Sequence, residues 1–177
     1  MSKKILVIST DFGTERDELV VPVDKLKGLG HDVTVATPNG EPVQTVLSDK
    51  DWDLEFPVDG KLSGYTSTDF DVIVLPGGTV NSDNARLDTE ILDQLKKQAG
   101  AGRTVAAICH APWALIDAGL APNKNLTSYT SVRIDLENAG ATWHDVPVQI
   151  CNTDEWTLIT SRNPGDLDPF IEAIDQA

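Results

Sequence analysis

Cys109 stands among small residues in a pattern that suits a nucleophile. The string Ala107-Ile108-Cys109-His110-Ala111 ends an apolar run and places an alanine two residues before and two residues after the cysteine. Hydrolases use this spacing at the sharp turn from a strand into a helix, because only small side chains fit beside an exposed nucleophile there. The N-terminus of the following helix would stabilise a thiolate and lower its pKa. The alternative is a buried strand cysteine, which is common among free cysteines.

The neighbouring His110 favours the reactive interpretation. Its imidazole is a candidate general base, and its backbone N–H is a candidate donor to an oxyanion. His31 opens a predicted strand and His144 lies in a late loop, so neither has a comparable setting. A purely structural histidine is the alternative.

Two other predicted strand ends carry residues that could complete a site. The pair Gly77-Gly78 allows a close backbone approach, which makes the Gly78 N–H a second candidate oxyanion donor. An ordinary tight turn would need the same glycines. Glu15 and Glu18 lie one helical turn apart, so one of them could point towards Cys109 as a protonated carboxyl. Acids in a first helical turn also complement the helix dipole without any catalytic role.

An alternation of strands and helices places these residues at one edge of a sheet. Strands are predicted at Lys4–Ser9, Asp32–Pro38, Asp71–Gly78, Arg103–Cys109, Val146–Ile150 and Trp156–Ser161. Helices are predicted at Glu15–Leu29 (with Pro22 near the first turn or at a bend), Asp88–Ala101, Pro112–Ala118, Ser131–Ala139 and from Pro164 onwards. Such alternation implies right-handed crossovers and a parallel sheet covered on both faces, so the predicted fold class is α/β. Between Pro38 and Asp71 the pattern indicates either a β-excursion or an edge loop. Ligands of these sheets bind beyond the carboxyl ends of the strands.

Composition and charge limit the class of protein. The 177 residues include 14 Lys or Arg and 28 Asp or Glu, and the resulting charge of −14 opposes a polyanion such as nucleic acid as the main ligand. No apolar run approaches the roughly 20 residues that span a bilayer. The N-terminus is too short for a signal peptide. We therefore expect a soluble cytoplasmic protein with one domain over residues 1–177.

The two cysteines differ in their surroundings, and neither indicates a disulfide framework. Cys151 lacks both a neighbouring histidine and flanking small residues, so we predict that it only packs in the core. A reactive thiol at a strand-to-helix turn needs no metal, and we expect neither a metal nor a cofactor.

Six segments, in order, resemble the PfpI family. This family belongs to the superfamily of class I glutamine amidotransferase-like domains, which includes the parkinsonism-associated deglycase. The segments are TERDELVVPVDKLKGLGHDV, DVIVLPGG, the stretch Asp83–Asp88, TVAAICHAPWALIDAGL, LTSYTSVRIDLENAGATWHD and LITSRNPGDLDPF. The resemblance spans nearly the whole chain and implies a flavodoxin-like sandwich of three layers. Glutamine amidotransferases themselves need a late His-x-Glu pair, which this sequence lacks.

The resemblance also implies roles for individual residues. Cys109 would be the nucleophile and Glu18 the acid that hydrogen-bonds its sulfur, with Glu15 in the same motif. The backbone N–H groups of Gly78 and His110 would form the oxyanion hole.

A further acid is implied at a subunit contact. Asp83 matches the position from which PfpI-like oligomers orient the histidine of a neighbouring subunit, so the site would depend on a second copy of the chain. One departure is Ala111, where the family more usually has glycine.

The function implied by the resemblance is that of a cysteine-dependent stress-response enzyme. It would act on reactive dicarbonyls such as methylglyoxal, or on the early adducts that they form with proteins. Two alternatives use the same cysteine: an intracellular cysteine peptidase of the PfpI type, and a redox-sensing or chaperone-like protein. The expected partners are a small carbonyl, glycated or peptide substrate and other copies of the chain, and no membrane.

Overall fold

A seven-stranded sheet forms the middle layer of the molecule, which we describe over residues 1–177 from a computed structural model. The strands are β1 (Lys4–Ile8), β2 (Phe12–Glu15), β3 (Asp32–Thr37), β4 (Val43–Leu47), β5 (Asp51–Phe56), β6 (Gly60–Lys61), β7 (Val72–Leu75), β8 (Thr104–Ile108), β9 (Asn125–Leu126), β10 (Thr142–Trp143), β11 (Val148–Cys151) and β12 (Leu158–Ser161). The helices are α1 (Arg16–Gly28), α2 (Thr79–Ala85), α3 (Thr89–Gly100), α4 (Trp113–Asp117), α5 (Arg133–Asn138) and α6 (Leu167–Gln176).

The order of the strands brings three loops together at one sheet edge. The central sheet runs β11-β12-β8-β7-β1-β3-β6, and all its neighbours pair in parallel except β11 with β12. Taken in chain order, the five long parallel strands follow the flavodoxin-like arrangement 2-1-3-4-5, in which ligands bind where the strand order reverses. The segments that follow β1, β7 and β8 therefore meet at the carboxyl edge of the sheet.

Helices cover both faces of this sheet, because alternate strand residues point in opposite directions. On β1, Ile5 and Val7 pack in a core cluster with residues of α1 and α6. Leu6 and Ile8 pack in a second cluster with residues of α3 and α4. These two apolar layers confirm the predicted α/β sandwich with a mostly parallel sheet.

The segment between Pro38 and Asp71 is a β-excursion. Strands β4 and β5 form a hairpin, and β4 pairs in parallel with β2 to make a separate three-stranded sheet. The sequence analysis missed β2, because Phe12–Glu15 is short and ends where α1 begins. This small sheet positions the β4–β5 turn beside the start of α1.

Several predicted boundaries shift by one to three residues. Glu15 is the residue before α1, and Pro22, predicted near the first turn or at a bend, lies in the second turn of that helix. The predicted helices at Ser131 and Pro164 each begin as a single 3₁₀ turn before the α-helix starts. No helix of the structure combines the length and the apolar character needed to cross a bilayer.

Candidate active site

The backbone at Cys109 makes the sharp turn that the small neighbours predict. Cys109 directly follows β8 and has φ of 63°, in the left-handed region that residues other than glycine seldom adopt. Its N–H donates to the carbonyl of Ser161 at 3.0 Å, and its carbonyl accepts from the N–H of Tyr129 at 2.8 Å. Such strain persists only where surrounding contacts fix it, and it is concentrated at functional sites.

Glu18 places a buried carboxyl against the thiol of Cys109. The side chain of Glu18 is fully buried, and its Oε2 accepts from the N–H of Gly77 at 2.9 Å. The other oxygen, Oε1, is buried without a hydrogen-bond partner. The Cys109 thiol is the remaining polar neighbour of this carboxyl. A cysteine and an acid are thus buried next to each other.

Burial is the main influence on the protonation of this pair. It raises the pKa of Glu18 to about 8, and the charges of Glu15 and Asp49 act in the same direction. Burial and an ionised Glu18 also raise the pKa of the Cys109 thiol. The lowering predicted for this pKa is therefore wrong, since the five-residue helix α4 does not offset the loss of solvation. The two groups do not both ionise near neutral pH.

The protonated form of Glu18, which burial favours, has a clear chemical use. When Cys109 gives up its proton, this carboxyl can donate a hydrogen bond to the thiolate, and the repulsion between two negative charges is absent. The backbone N–H groups of Gly78 and His110 also donate towards the Cys109 sulfur and favour its ionised form. The same two N–H groups are placed to stabilise negative charge that develops on an atom bonded to the sulfur.

Gly78 needs its hydrogen side chain to bring its N–H close to the sulfur. It has φ of 88° and ψ of 132°, a conformation essentially confined to glycine. A Cβ at this position would collide with the carbonyl oxygen of Gly13 and lie 2.6 Å from the backbone nitrogen of Glu15. The close packing of this loop on the β2–α1 junction thus depends on the glycine.

We expect Gly78→Ala to destabilise the fold as well as the site. Backbone strain and the collision together should lower the free energy of unfolding by roughly 3 kcal/mol or more. Gly28→Ala is the matched control, because no atom lies within 4 Å of a Cβ built at Gly28. That control should change stability by about 1 kcal/mol or less. Urea unfolding of both variants measures the difference, and equal effects would contradict the packing argument.

His110 lies beside the thiol in an aromatic environment. Its Nδ1 is 3.2 Å from the Cys109 sulfur, and its ring stacks on Tyr129 with a centroid distance of 4.7 Å. Nε2 lies 3.4 Å from the hydroxyl of Thr79 and 3.3 Å from that of Ser131. Burial lowers the pKa of His110, so the imidazole is neutral at pH 7.

The structure separates Asp83 from the other predicted residues. Its side chain is exposed on α2 and makes no hydrogen bond to His110 within the chain. The predicted role of Asp83 across a subunit contact stays a prediction.

Glu15 forms part of the pocket wall. It accepts hydrogen bonds from the backbone N–H groups of Ser48 and Asp49 at 3.2 and 3.3 Å. Burial raises the pKa of Glu15 as well. Its carboxyl holds the β4–β5 turn in place over the site.

A cavity of about 230 Å³ opens above the thiol. Its lining consists of Glu15, Glu18, Ser48, Asp49, Cys109, Tyr129 and Pro164. Three of these residues carry carboxyl groups and none carries a cation, so the cavity favours neutral or cationic ligands over anions. No group of three or more His, Cys, Asp or Glu side chains is arranged to hold a metal ion.

The sequence analysis missed Ser48, Asp49 and Tyr129 in the cavity wall, and Thr79 beside His110. Ser48 and Asp49 lie in the β4–β5 turn, and Tyr129 follows β9, far from any glycine or cysteine motif. Thr79 is the exception, since it directly follows Gly77-Gly78 and could have been found from that signal.

Cys151 is buried in the larger core cluster. Its sulfur accepts from the backbone N–H of Asn125 at 3.3 Å and lies 3.2 Å from the hydroxyl of Thr153. The prediction that Cys151 packs in the core is confirmed.

Comparison with known proteins gives matches along the whole chain. A sequence model of the DJ-1/PfpI family matches residues 3–177. General stress protein 18 of Bacillus subtilis is 36% identical over 170 residues, which cover 96% of this chain and 94% of that protein. Protein/nucleic acid deglycase 2 of Escherichia coli is 34% identical over 171 residues, which cover 96% of this chain and 94% of that protein. The crystal structure of Drosophila melanogaster DJ-1beta superposes with a TM-score of 0.86 at 38% identity, covering 98% of this chain and 89% of that one.

Proposed function

The chain belongs to the DJ-1/PfpI family, and from that premise we propose that it is a stress-response enzyme that converts reactive dicarbonyls or their early protein adducts. The arrangement that carries this proposal is Cys109 at a strained turn, with the Glu18 carboxyl and two backbone N–H groups directed at its sulfur. The names of the stress protein and the deglycase among its relatives support the same function.

The proposed reaction on methylglyoxal begins with attack on the aldehyde carbon. A C–S bond forms, and the carbonyl electron pair moves to the oxygen, which the N–H groups of Gly78 and His110 stabilise as an alkoxide. The thiol proton, taken up by His110, ends on the oxygen of the neighbouring carbonyl, which becomes the hydroxyl of the lactyl group. Glu18 or His110 moves the proton of the attacked carbon to that neighbouring carbon. The resulting lactyl thioester is hydrolysed by water, which gives lactate and restores the thiol.

The size of the cavity favours a small substrate. Sites for drug-sized ligands usually enclose about 300–1,000 Å³. The cavity above Cys109 is smaller, at about 230 Å³, which suits a three-carbon carbonyl or the end of a glycated side chain. A peptidase would need a groove that accepts several residues of backbone.

The charge of the cavity refines the choice of substrate. The carboxyl groups of Glu15 and Asp49 flank the thiol without a compensating cation. We therefore propose that neutral dicarbonyls and adducts of cationic side chains are preferred over phosphorylated carbonyls. A nucleic acid adduct, which the name of the Escherichia coli relative includes, would bring phosphates towards these carboxyl groups.

A substrate panel on the wild-type protein tests the proposal. We expect lactate from methylglyoxal, release of free amine from its early adducts, and no hydrolysis of peptide amides. We expect kcat/KM to be about tenfold higher for hydroxypyruvaldehyde than for its phosphate ester, because the ester is an anion and the carboxyl groups of the cavity repel it.

Two outcomes would favour the rival functions. A burst of acyl-enzyme on a peptide amide, without turnover of any carbonyl, would identify a peptidase. Rapid reversible oxidation of Cys109 without turnover of any substrate in the panel would identify a redox sensor.

A further inference from the structure

A chain of polar contacts runs from the β4–β5 turn to the thiol through His110. The carboxylate of Asp49 accepts from Thr79 twice, from the backbone N–H at 2.7 Å and from the hydroxyl at 2.9 Å. The Thr79 hydroxyl oxygen lies 3.4 Å from Nε2 of His110. The opposite ring nitrogen, Nδ1, lies 3.2 Å from the Cys109 sulfur. All four residues belong to the same polypeptide.

The carboxylate of Asp49, at one end of this series of contacts, determines the direction of each hydrogen bond in it. An ionised carboxylate only accepts hydrogen bonds, so the single hydroxyl proton of Thr79 must point to Asp49. The oxygen of Thr79 then has only lone pairs to offer to His110, which favours the imidazole proton on Nε2. A neutral imidazole has one N–H, which leaves Nδ1 as an acceptor facing the thiol. The hydroxyl of Ser131 can donate or accept, so it does not oppose this arrangement.

We propose that Thr79 and Asp49 are positioning residues that fix His110 in the Nε2–H tautomer, with Nδ1 ready to accept the proton of Cys109. The chain thus supplies its own acid for orienting the histidine, and it does so through an intervening hydroxyl. This inference rests on the proposed nucleophilic role of Cys109, but its tests need no substrate.

The position of Asp49 connects these hydrogen bonds to the rest of the site. Asp49 has φ of 57°, and its own N–H is held by Glu15 at 3.3 Å. Its carboxylate meets Thr79, the first residue of α2, directly after the oxyanion donor Gly78. One contact therefore orients the histidine and fixes the loop that carries the Gly78 N–H.

Asp49→Asn gives the sharpest test because it should reverse the direction of the hydrogen bonds from residue 49 through Thr79 to His110. The amide oxygen would still accept from the backbone N–H of Thr79, so the NH₂ group would face the Thr79 hydroxyl and donate to it. That hydroxyl would then donate to Nε2, and the proton of His110 would move to Nδ1. A comparable loss of the correct tautomer is described for the aspartate of serine protease triads.

The tautomer is measured by NMR on protein labelled with ¹⁵N-histidine, with the His110 signals assigned from a His110→Asn variant. We expect Nε2–H in the wild type, Nδ1–H in Asp49→Asn and a mixture in Thr79→Val. Thr79→Ser should restore the wild-type tautomer, because serine keeps the hydroxyl. Asp51→Asn is the charge-matched control on an exposed residue of the same hairpin, and it should leave the tautomer unchanged.

Alkylation of Cys109 by iodoacetamide provides the second measurement, in a Cys151→Ala background. Loss of the acceptor at Nδ1 should slow alkylation at neutral pH by about tenfold in Asp49→Asn, and Thr79→Ser should stay near wild type. An unchanged tautomer and an unchanged rate in Asp49→Asn would overturn the proposal. A change caused by Asp83→Asn instead would assign the orienting acid to a second copy of the chain. Failure of the proposed function would appear only in the substrate panel.

Discussion

Cys109→Ala is expected to lower lactate formation from methylglyoxal by at least about 10³-fold, because Cys109 is the one thiol in the lining of the cavity. The measurement is kcat/KM from lactate release at neutral pH. The alanine keeps the small size that the turn requires, so the fold should persist. Urea unfolding should give a stability within roughly 1 kcal/mol of the wild type.

Cys151→Ala is the control for this prediction. Cys151 is buried in the core and does not line the cavity, so its loss should leave kcat/KM within about twofold of the wild type. Turnover by Cys109→Ala at the wild-type rate would contradict the nucleophilic mechanism. Loss of activity in both variants, together with lower stability, would indicate a structural effect instead.

The parts of the site that the sequence predicts are those that lie next to a strand end. Cys109 and Gly78 each stand within three residues of a buried apolar strand, so the strand and the functional residue appear in one short string. Glu18 follows β1 after a longer interval, but it belongs to a helix that the spacing of apolar residues predicts. The rules for parallel sheets then place all three at the same edge.

The site residues that the sequence does not predict lie on the β4–β5 hairpin and on the loop that follows β9. Asp49 reaches Thr79 because β4 pairs with the short strand β2, and no local sequence pattern predicts that pairing. Tyr129 stacks on His110 from a loop whose path depends on the small β9–β10 sheet. Long-range contacts of this kind carry no period that a single sequence shows.

The depth of burial is the other property that the sequence analysis could not supply. A helix N-terminus after Cys109 predicts a lowered pKa, but the thiol and the Glu18 carboxyl are both removed from water. Desolvation then outweighs the short helix, and the pKa of the thiol depends on the charge of a residue that lies 91 positions away in the sequence.

That buried carboxyl gives the second large effect, which concerns stability and activity together. Glu18 loses its proton near 4.5 when unfolded but only near 8 when folded, chiefly because burial disfavours its charge. Between these values the folded state binds more protons than the unfolded state, so the free energy of unfolding falls as the pH rises from about 4.5 to about 8. At about 1.4 kcal/mol for each pKa unit, the loss amounts to roughly 3 to 5 kcal/mol across this range.

Glu18→Gln should remove this dependence. The amide oxygen can accept from the N–H of Gly77 while its NH₂ group faces the sulfur, so the contacts are kept without an ionisable group. We expect the variant to match the wild type near pH 4.5 and to exceed its free energy of unfolding by roughly 3 kcal/mol near pH 8. Urea unfolding at several pH values measures the difference, and Asp51→Asn is the control at an exposed carboxyl.

The activity of the same variant should change in the opposite direction. A glutamine can donate a hydrogen bond to a thiolate but cannot take up or release a proton, so kcat/KM for methylglyoxal should fall by about 10²-fold. A stability difference that did not vary with pH would refute the buried carboxyl as its source, and full activity would exclude Glu18 from proton transfer. A variant that is more stable at pH 8 and also much slower would mean that the fold retains a destabilising acid because the thiol requires it.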